Sequence, residues 1–512
     1  MPTPLRHITD RLAALPSGAL VGMRRGVEKE SLRARPDGMI ALSPHPAALG
    51  SALTHPRITT DFSESQLEMV TGVHGSTADC LDELRQIHGA VVRAIGEDML
   101  WASSMPCGLP ADEQIPLAQF GPSNIGRAKH VYRMGLGHRY GRRMQTISGI
   151  HYNWSLPGLS SADYFGLIRN FRRHVFLLML MFGASPAVCA SFVAGRPHGL
   201  TTLVDGTLGQ PHATSLRMGR LGYQSDAQAL LAVSYNSLDR YADSLHAALT
   251  QPYPPYEAIG ITGPDGEYRQ LSTTLLQIEN EFYSTIRPKR VIDRGERPLH
   301  ALRQRGVEYI EVRCLDLDPF ETVGINARTM AFIDVLLMHA LLTPSTPDTP
   351  DDVVALALNQ ERTAERGREP GLRLARRGRE MVLTEWAAEL LDEFAPIAGA
   401  LDEAQGVTLH REAVAAAVAG LDDPALLPSA RVLSAMRNEH GGSYSRFVRA
   451  CSAAVKTNLL ADAWPAPMDA RYREMAAVSI EAQQALEAAD DLPFEAFRQR
   501  YLDPAQLLPS AP

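Results

Sequence analysis

"ISGIHYNWSLP", Ile147 to Pro157, alternates with a period of two. Ile150, Tyr152, Trp154 and Leu156 fall on one face, and Gly149, His151, Asn153 and Ser155 on the other. "GVEYIEVRCLDLD", Gly306 to Asp318, repeats the pattern: Ile310, Val312 and Cys314 share one face, Tyr309, Glu311 and Arg313 the other. In "GVEKESLR", Gly26 to Arg33, Glu28 and Glu30 are two apart and point the same way if the segment is extended. Strands of a parallel sheet covered on both faces read as continuous apolar runs, and these do not. The spacing predicts a sheet with one packed face and one acidic, histidine-bearing face.

The rest of the chain is consistent with a soluble α+β protein. It has 512 residues, 45% hydrophobic and 21% charged, with a formal net charge of −8. Such a balance gives no global attraction to nucleic acid or to an anionic membrane. The N-terminus lacks the apolar core of a signal peptide and reads as a short amphipathic helix. The run Val175–Gly195 is broken at Gly183, Ser185 and Pro186, so a buried core helix is expected rather than a membrane span. Five cysteines without a CxxC pair make a poor disulfide framework and a poor zinc site, which favours a reducing, cytoplasmic setting. "TPSTPDTPDD", Thr343 to Asp352, is a Pro-rich break. It divides a sheet-bearing part, 1–342, from a mainly helical part, 343–512. The basic run "RGREPGLRLARRGRE" reads as a solvated loop and helix face.

"ITTDFSESQLEMVTGV", Ile58 to Val73, crowds Asp61, Glu64 and Glu68 into a strand-like or short helical run. Pooled with the polar strand faces, the acidic set is Glu28, Glu30, Asp61, Glu68 and Glu311, with His151 among them and Glu279 as a possible addition. Carboxylates pointing into one space repel one another unless cations neutralise them. Hard divalent ions with oxygen ligands do so, and one imidazole is compatible with Mg²⁺ or Mn²⁺. Arg133, Arg217, Arg287, Lys289 and Arg313 suit phosphate or carboxylate, and the combination suggests phosphoryl transfer. Each residue also has an ordinary explanation. A Glu pair two apart is commonly a solvent face, a lone His is commonly semi-buried structure, and Arg313 can simply pair Glu311. No GxxxxGK[ST] phosphate loop is present.

Longer strings narrow the choice. "RGVEKESLR", "LGSALTHPRITTDFSESQLEMVT", "SMPCGLP", "YRMGLGHRYG", "MQTISGIHYNWSLP", "FGASPAVCASF", "ATSLRMGRLGYQS", "LQIENEFYSTIRPKR" and "GVEYIEVRCLDLDPF" occur in that order. Together they resemble the proteobacterial type of glutamate–cysteine ligase. The resemblance is dense from about Gly22 to Phe320 and thinner beyond.

The resemblance implies a glutamine-synthetase-like fold, a curved, mainly antiparallel sheet funnel with helices outside. It implies ATP-dependent joining of the L-glutamate side-chain carboxylate to L-cysteine through γ-glutamyl phosphate. By matching strings, the Mg²⁺ ligands would be Glu28, Glu30, Asp61, Glu68, His151 and Glu311, leaving Glu64 structural or solvated. Arg313 and Arg217 match positions that contact phosphate or substrate carboxylate, and Arg133 is a further candidate. His151 also counts among the substrate-contacting positions. Tyr132, Tyr223 and Tyr283, with Leu136 and Gln145, match an acceptor pocket for cysteine. Feedback inhibition by glutathione is a family habit, and a monomer or weak oligomer is expected. The alternative function is a γ-glutamyl ligase of the same fold with a different amine acceptor.

Overall fold

The computed structural model describes residues 4–222, 227, 231, 233–293 and 295–509. Tyr223 therefore lies outside the described residues. Five early strands are β1 Arg24–Ala34, β2 Ile58–Thr60, β3 Gln66–Val70, β4 Met99–Leu100 and β5 Ile150–Ser155. They are followed by β6 Ala187–Cys189, β7 Thr201–Val204, β8 Thr207–Gly209, β9 Ile286–Lys289 and β10 Tyr309–Leu315. The main sheet has seven strands in the order β2-β3-β1-β5-β10-β9, with β4 on the end of β1, and every pairing is antiparallel.

The two faces differ as the alternation requires. Ile150, Tyr152 and Trp154 are buried against helices, next to Ile310 and Val312 of β10. That side is covered by the helices Thr77–Ala94, Ser161–Phe182 and Ala327–Leu342, the last packed in turn by Leu383–Gln405 and Leu409–Asp422. Ser161–Phe182 starts from a capping box in which Ser160 and Asp163 satisfy each other's backbone N–H groups. It stops at Gly183, where an added Cβ would lie 2.7 Å from the Thr214 carbonyl. Among the described residues, no helix is long and apolar enough to cross a membrane.

The packed face is not purely apolar. Arg25 and Lys29 share it with Val27, because they pair in register with Trp154 and Ile150. Arg25 Nη2 donates to Asp334 Oδ2 at 2.7 Å with both side chains fully buried, and the Tyr152 hydroxyl donates to the other Asp334 oxygen at 2.8 Å. Lys29 Nζ lies 2.8 Å from His88 Nε2, and burial pushes its amine down to about 7.

Three expectations are corrected. The basic run contains a two-stranded hairpin, β11 Arg373–Arg376 and β12 Arg379–Val382. Arg377 and Gly378 turn it with φ of 51° and 75°, the doubly positive geometry of a tight hairpin. Cys107 and Cys189 form a disulfide across 82 residues of sequence, with Cα atoms 5.3 Å apart. No local spacing announces it, because the fold brings together a loop and the end of β6. Glu279 does not join the acidic face. It accepts from Arg297 Nη2 at 2.6 Å and from the Leu299 N–H at 3.1 Å, and so caps the helix Pro298–Arg305.

Candidate active site

Register assembles the polar face. Glu28 pairs with His151, Glu30 with Glu68, and Asn153 with Glu311, while Arg287 lies opposite Glu311 on the far side. His151 Nδ1 is 3.2 Å from Glu28 Oε2 and 3.8 Å from Glu311 Oε1, and its Nε2 is 3.7 Å from Glu30 Oε1. Asn153 donates to Glu28 Oε1 at 2.8 Å. It shares the alternating face with His151, which is the signal that marks it in the sequence. Ligand atoms of Glu28, His151 and Glu311 lie within 4.8 Å of one another. An ion at their centre would sit no more than about 2.8 Å from each, a reach that includes the ~2.0–2.6 Å of hard-cation oxygen ligands.

Cations are unevenly spread over this face. At the β9–β10 end, Lys289 Nζ lies 3.3 Å and Arg313 Nη1 3.0 Å from Glu311. Burial alone would raise the Glu311 carboxyl, but Lys289, Arg313, His151 and Arg287 together hold it well below the usual range. Burial would also raise Glu28, and the His151 hydrogen bond and Lys289 outweigh it, leaving that carboxyl lowered. At the β1–β3 end the balance reverses. Burial and then Asp61 push Glu30 up to about 8 despite Arg217 and Arg313. Burial, Glu28, Asp61 and Glu30 push Glu68 well above the ordinary value. That end has more carboxylate than the chain neutralises, which is what a cation site requires. Burial and Arg313 lower His151, favouring the neutral imidazole that a metal ligand must be. Oxygen donors with one imidazole fit a hard divalent ion.

The remaining residues divide into two groups. Arg133, on the helix Asn124–Tyr140, donates to the carbonyls of Asp61 and Lys129 and lies 4.5 Å over the Phe120 ring. Arg217 Nη2 donates to the Arg313 carbonyl at 2.9 Å. Arg287 Nη2 donates to the carbonyls of Asn280 and Phe282. Glu64 accepts from the N–H groups of His45 and Gln119, both at 2.8 Å, so it is a structural loop anchor.

On the other flank, Gln145 Nε2 donates to the Tyr283 hydroxyl at 2.7 Å, and Tyr283 meets Tyr140 edge-on at 6.0 Å. Tyr132 and Leu136 pack in an apolar cluster with Phe62 and Leu271. Glu281, which the sequence alone does not single out, ties these pieces together. It is fully buried and accepts from Arg139 and the Tyr140 hydroxyl at 2.8 Å, and from the Gln277 N–H at 2.7 Å.

Comparison with known proteins settles the family. Residues 12–363 match the family model described as glutamate-cysteine ligase. The chain belongs to the glutamate–cysteine ligase family. It is 44% identical over 523 residues to the glutamate–cysteine ligase of Alcanivorax borkumensis, covering 97% of this chain and 99% of that one. It is 46% identical over 522 residues to that of Pseudomonas paraeruginosa, covering 96% and 97%. Among solved structures, it is similar to the Francisella tularensis glutamate–cysteine ligase in complex with AMP. The TM-score is 0.90 at 36% identity, over 95% of this chain and 98% of that one. A bifunctional glutathione synthetase from Pasteurella multocida matches with a TM-score of 0.68 at 26% identity, over 89% of this chain and 55% of that longer one. The ligase joins L-glutamate to L-cysteine at the expense of ATP, giving γ-glutamylcysteine, the first step of glutathione biosynthesis.

Proposed function

We propose that the acidic face of the sheet is where ATP and glutamate react, with Mg²⁺ held by Glu28, Glu30, Asp61, Glu68, His151 and Glu311. The single observation that carries this reading is the cluster of Glu28, His151 and Glu311 beside two carboxyls, Glu30 and Glu68, that are short of positive charge. When bound, a divalent ion there supplies neutralisation of phosphate charge. Mn²⁺ satisfies the same donor set.

The chain's own part is binding and orientation. The Arg313 guanidinium lies on Glu311 and that of Arg217 on the Arg313 carbonyl, both charges act on Glu30, and both groups would hold phosphate oxygens. An oxygen of the glutamate side-chain carboxylate attacks the terminal phosphorus of ATP. The P–O bond to ADP breaks, and γ-glutamyl phosphate forms. The cysteine amine then attacks the acyl carbon, a C–N bond forms, the C–O bond to phosphate breaks, and the amine loses a proton. Tyr132, Leu136, Gln145, Tyr223 and Tyr283 would receive the cysteine side chain. Apolar recognition of one methyl-sized group is worth about 1–3 kcal/mol, so 2-aminobutyrate should substitute in part. Glutathione carries both the γ-glutamyl and cysteinyl groups and should compete with glutamate.

The test is ATP-dependent phosphate release, with mass detection of product, using L-cysteine, 2-aminobutyrate, glycine, ammonia or no amine. Fastest formation of γ-glutamylcysteine is expected. Turnover with another amine alone would move the acceptor assignment elsewhere.

A further inference from the structure

Arg217 reaches the acidic face by a route that the fold has to build. It sits in the short 3₁₀ turn Leu216–Met218, its side chain buried. Its guanidinium packs directly on Gly149, the residue before β5. A Cβ at Gly149 would lie 2.5 Å from Arg217 Cζ, 2.9 Å from Nε, and closer still to Nη2. Gly149 is not among the glycines with positive φ, so its backbone conformation admits any residue. What it contributes is space. Its N–H donates to Glu30 Oε2 at 2.7 Å, which places the arginine beside a proposed metal carboxylate.

Two further features aim the same side chain. The β5–β10 register slips between Val312 and Leu315, a bulge, and Arg217 Nη2 donates to the Arg313 carbonyl within it. The base of the arginine's turn is held by Asp316, just past the end of β10. Asp316 Oδ2 accepts from the Ser185 hydroxyl at 2.6 Å and the Ala184 N–H at 2.8 Å, and its Oδ1 accepts from the Ser215 hydroxyl at 3.0 Å. Ser185 and Ser215 also bridge as backbone, with the Leu216 N–H donating to the Ser185 carbonyl at 2.8 Å. One buried carboxylate thus ties the Ala184–Ser185 segment to Ser215, two residues before Arg217.

We propose that Gly149 and Asp316 are positioning residues for the ligase reaction. Gly149 leaves the passage through which Arg217 reaches the reacting phosphate, and Asp316 anchors the turn that sends it there. The inference rests on the reading that Arg217 contacts transferred phosphate or substrate carboxylate, and it assigns no direct contact with substrate to either new residue. A methyl group at Gly149 displaces the guanidinium by roughly an ångström or more, and a misplacement of that size costs on the order of 100-fold in rate.

The experiment is a pair of double-mutant cycles, Gly149→Ala with Arg217→Ala and Asp316→Asn with Arg217→Ala. Turnover, the KM for each substrate and the thermal midpoint are measured on the same proteins. Arg217→Ala is expected to lower kcat about 100-fold or more. Gly149→Ala should lower kcat to a similar extent in the wild-type background but by less than about threefold when Arg217 is already Ala. Asp316→Asn should show the same dependence with a smaller loss, while the KM for cysteine stays within about twofold in every variant. The midpoint should follow, with the added methyl destabilising only the protein that retains Arg217. Losses that multiply across the backgrounds, in kcat and in midpoint alike, would overturn the positioning role. Wild-type turnover in Arg217→Ala would instead refute the substrate-contact reading, and the midpoint cycle would still report whether Gly149 seats that side chain. If Gly149→Ala does not fold, the Asp316 cycle decides alone.

Discussion

A carboxylate forced among its own kind should cost stability when no cation is present, and Glu30 makes that cost measurable. Its carboxyl is buried and titrates at about 8 instead of 4.5. In the unfolded chain it is free to ionise from about pH 4.5 upward. In the fold it is held protonated, so from pH 4.5 the folded state loses about 1.4 kcal/mol per pH unit relative to the unfolded one, until the folded value is reached. At pH 7.5 the penalty is up to about 4 kcal/mol (3 units × 1.36). Glu30→Gln removes the ionisable group while its carbonyl still accepts from the Gly149 N–H. Unfolding of 512 residues carries an entropy of about 1.1 kcal/mol/K. In EDTA at pH 7.5, the variant's thermal midpoint should therefore be higher than wild type by up to ~4 °C. The gain should shrink toward zero at pH 4.5, while turnover with Mg²⁺ falls by orders of magnitude. A variant no more stable than wild type at pH 7.5, or an advantage independent of pH, would show that Glu30 is not held protonated at a cost in the fold.

Other consequences are open to measurement. Tyr283→Ala removes the partner of Gln145 and the edge contact with Tyr140, and should raise the KM for cysteine much more than that for ATP; equal rises would place Tyr283 elsewhere. Asp334→Asn leaves Arg25 charged in a fully buried site, and should cost about 3–5 kcal/mol in denaturant unfolding, whereas a loss below 1 kcal/mol would show that the pair is dispensable. Burial holds His45 and His55 down to about 4. Being neutral in the fold and protonated when unfolded, each withdraws stability as pH falls from about 6.5 toward 4. Denaturant unfolding should show that decline, and replacing His45 with Gln should flatten it; a wild-type slope in the variant would sink the assignment.

The alternation of Ile150 to Leu156 exposed the two-faced sheet because apolar and polar residues there separate cleanly. The same rule was silent about β1, where Arg25 and Lys29 lie on the packed face and find partners, Asp334 and His88, that are remote in sequence. Glu279 and Glu281 show the limit from another side. Two residues apart in one string, they serve a helix cap and a buried hub, and neither joins the acidic face. The Cys107–Cys189 bond and the seat of Arg217 over Gly149 likewise depend on contacts between distant segments. The Arg377–Gly378 turn was legible in principle from its glycine, but the surrounding arginines suggested a solvated surface and masked the hairpin.

Mn²⁺ binding followed by electron paramagnetic resonance reads whether the acidic face is a divalent-cation site. Wild type, Glu28→Gln and Glu311→Gln are titrated with Mn²⁺ at pH 7.5, without nucleotide and then with ADP. Removing one unit charge centred about 4 Å from a divalent ion gives up about 8 kcal/mol of attraction at an effective dielectric of 20, part of which solvation returns. Both variants should therefore bind Mn²⁺ at least about 100-fold more weakly than wild type. Affinity equal to wild type in both would move the metal away from this face.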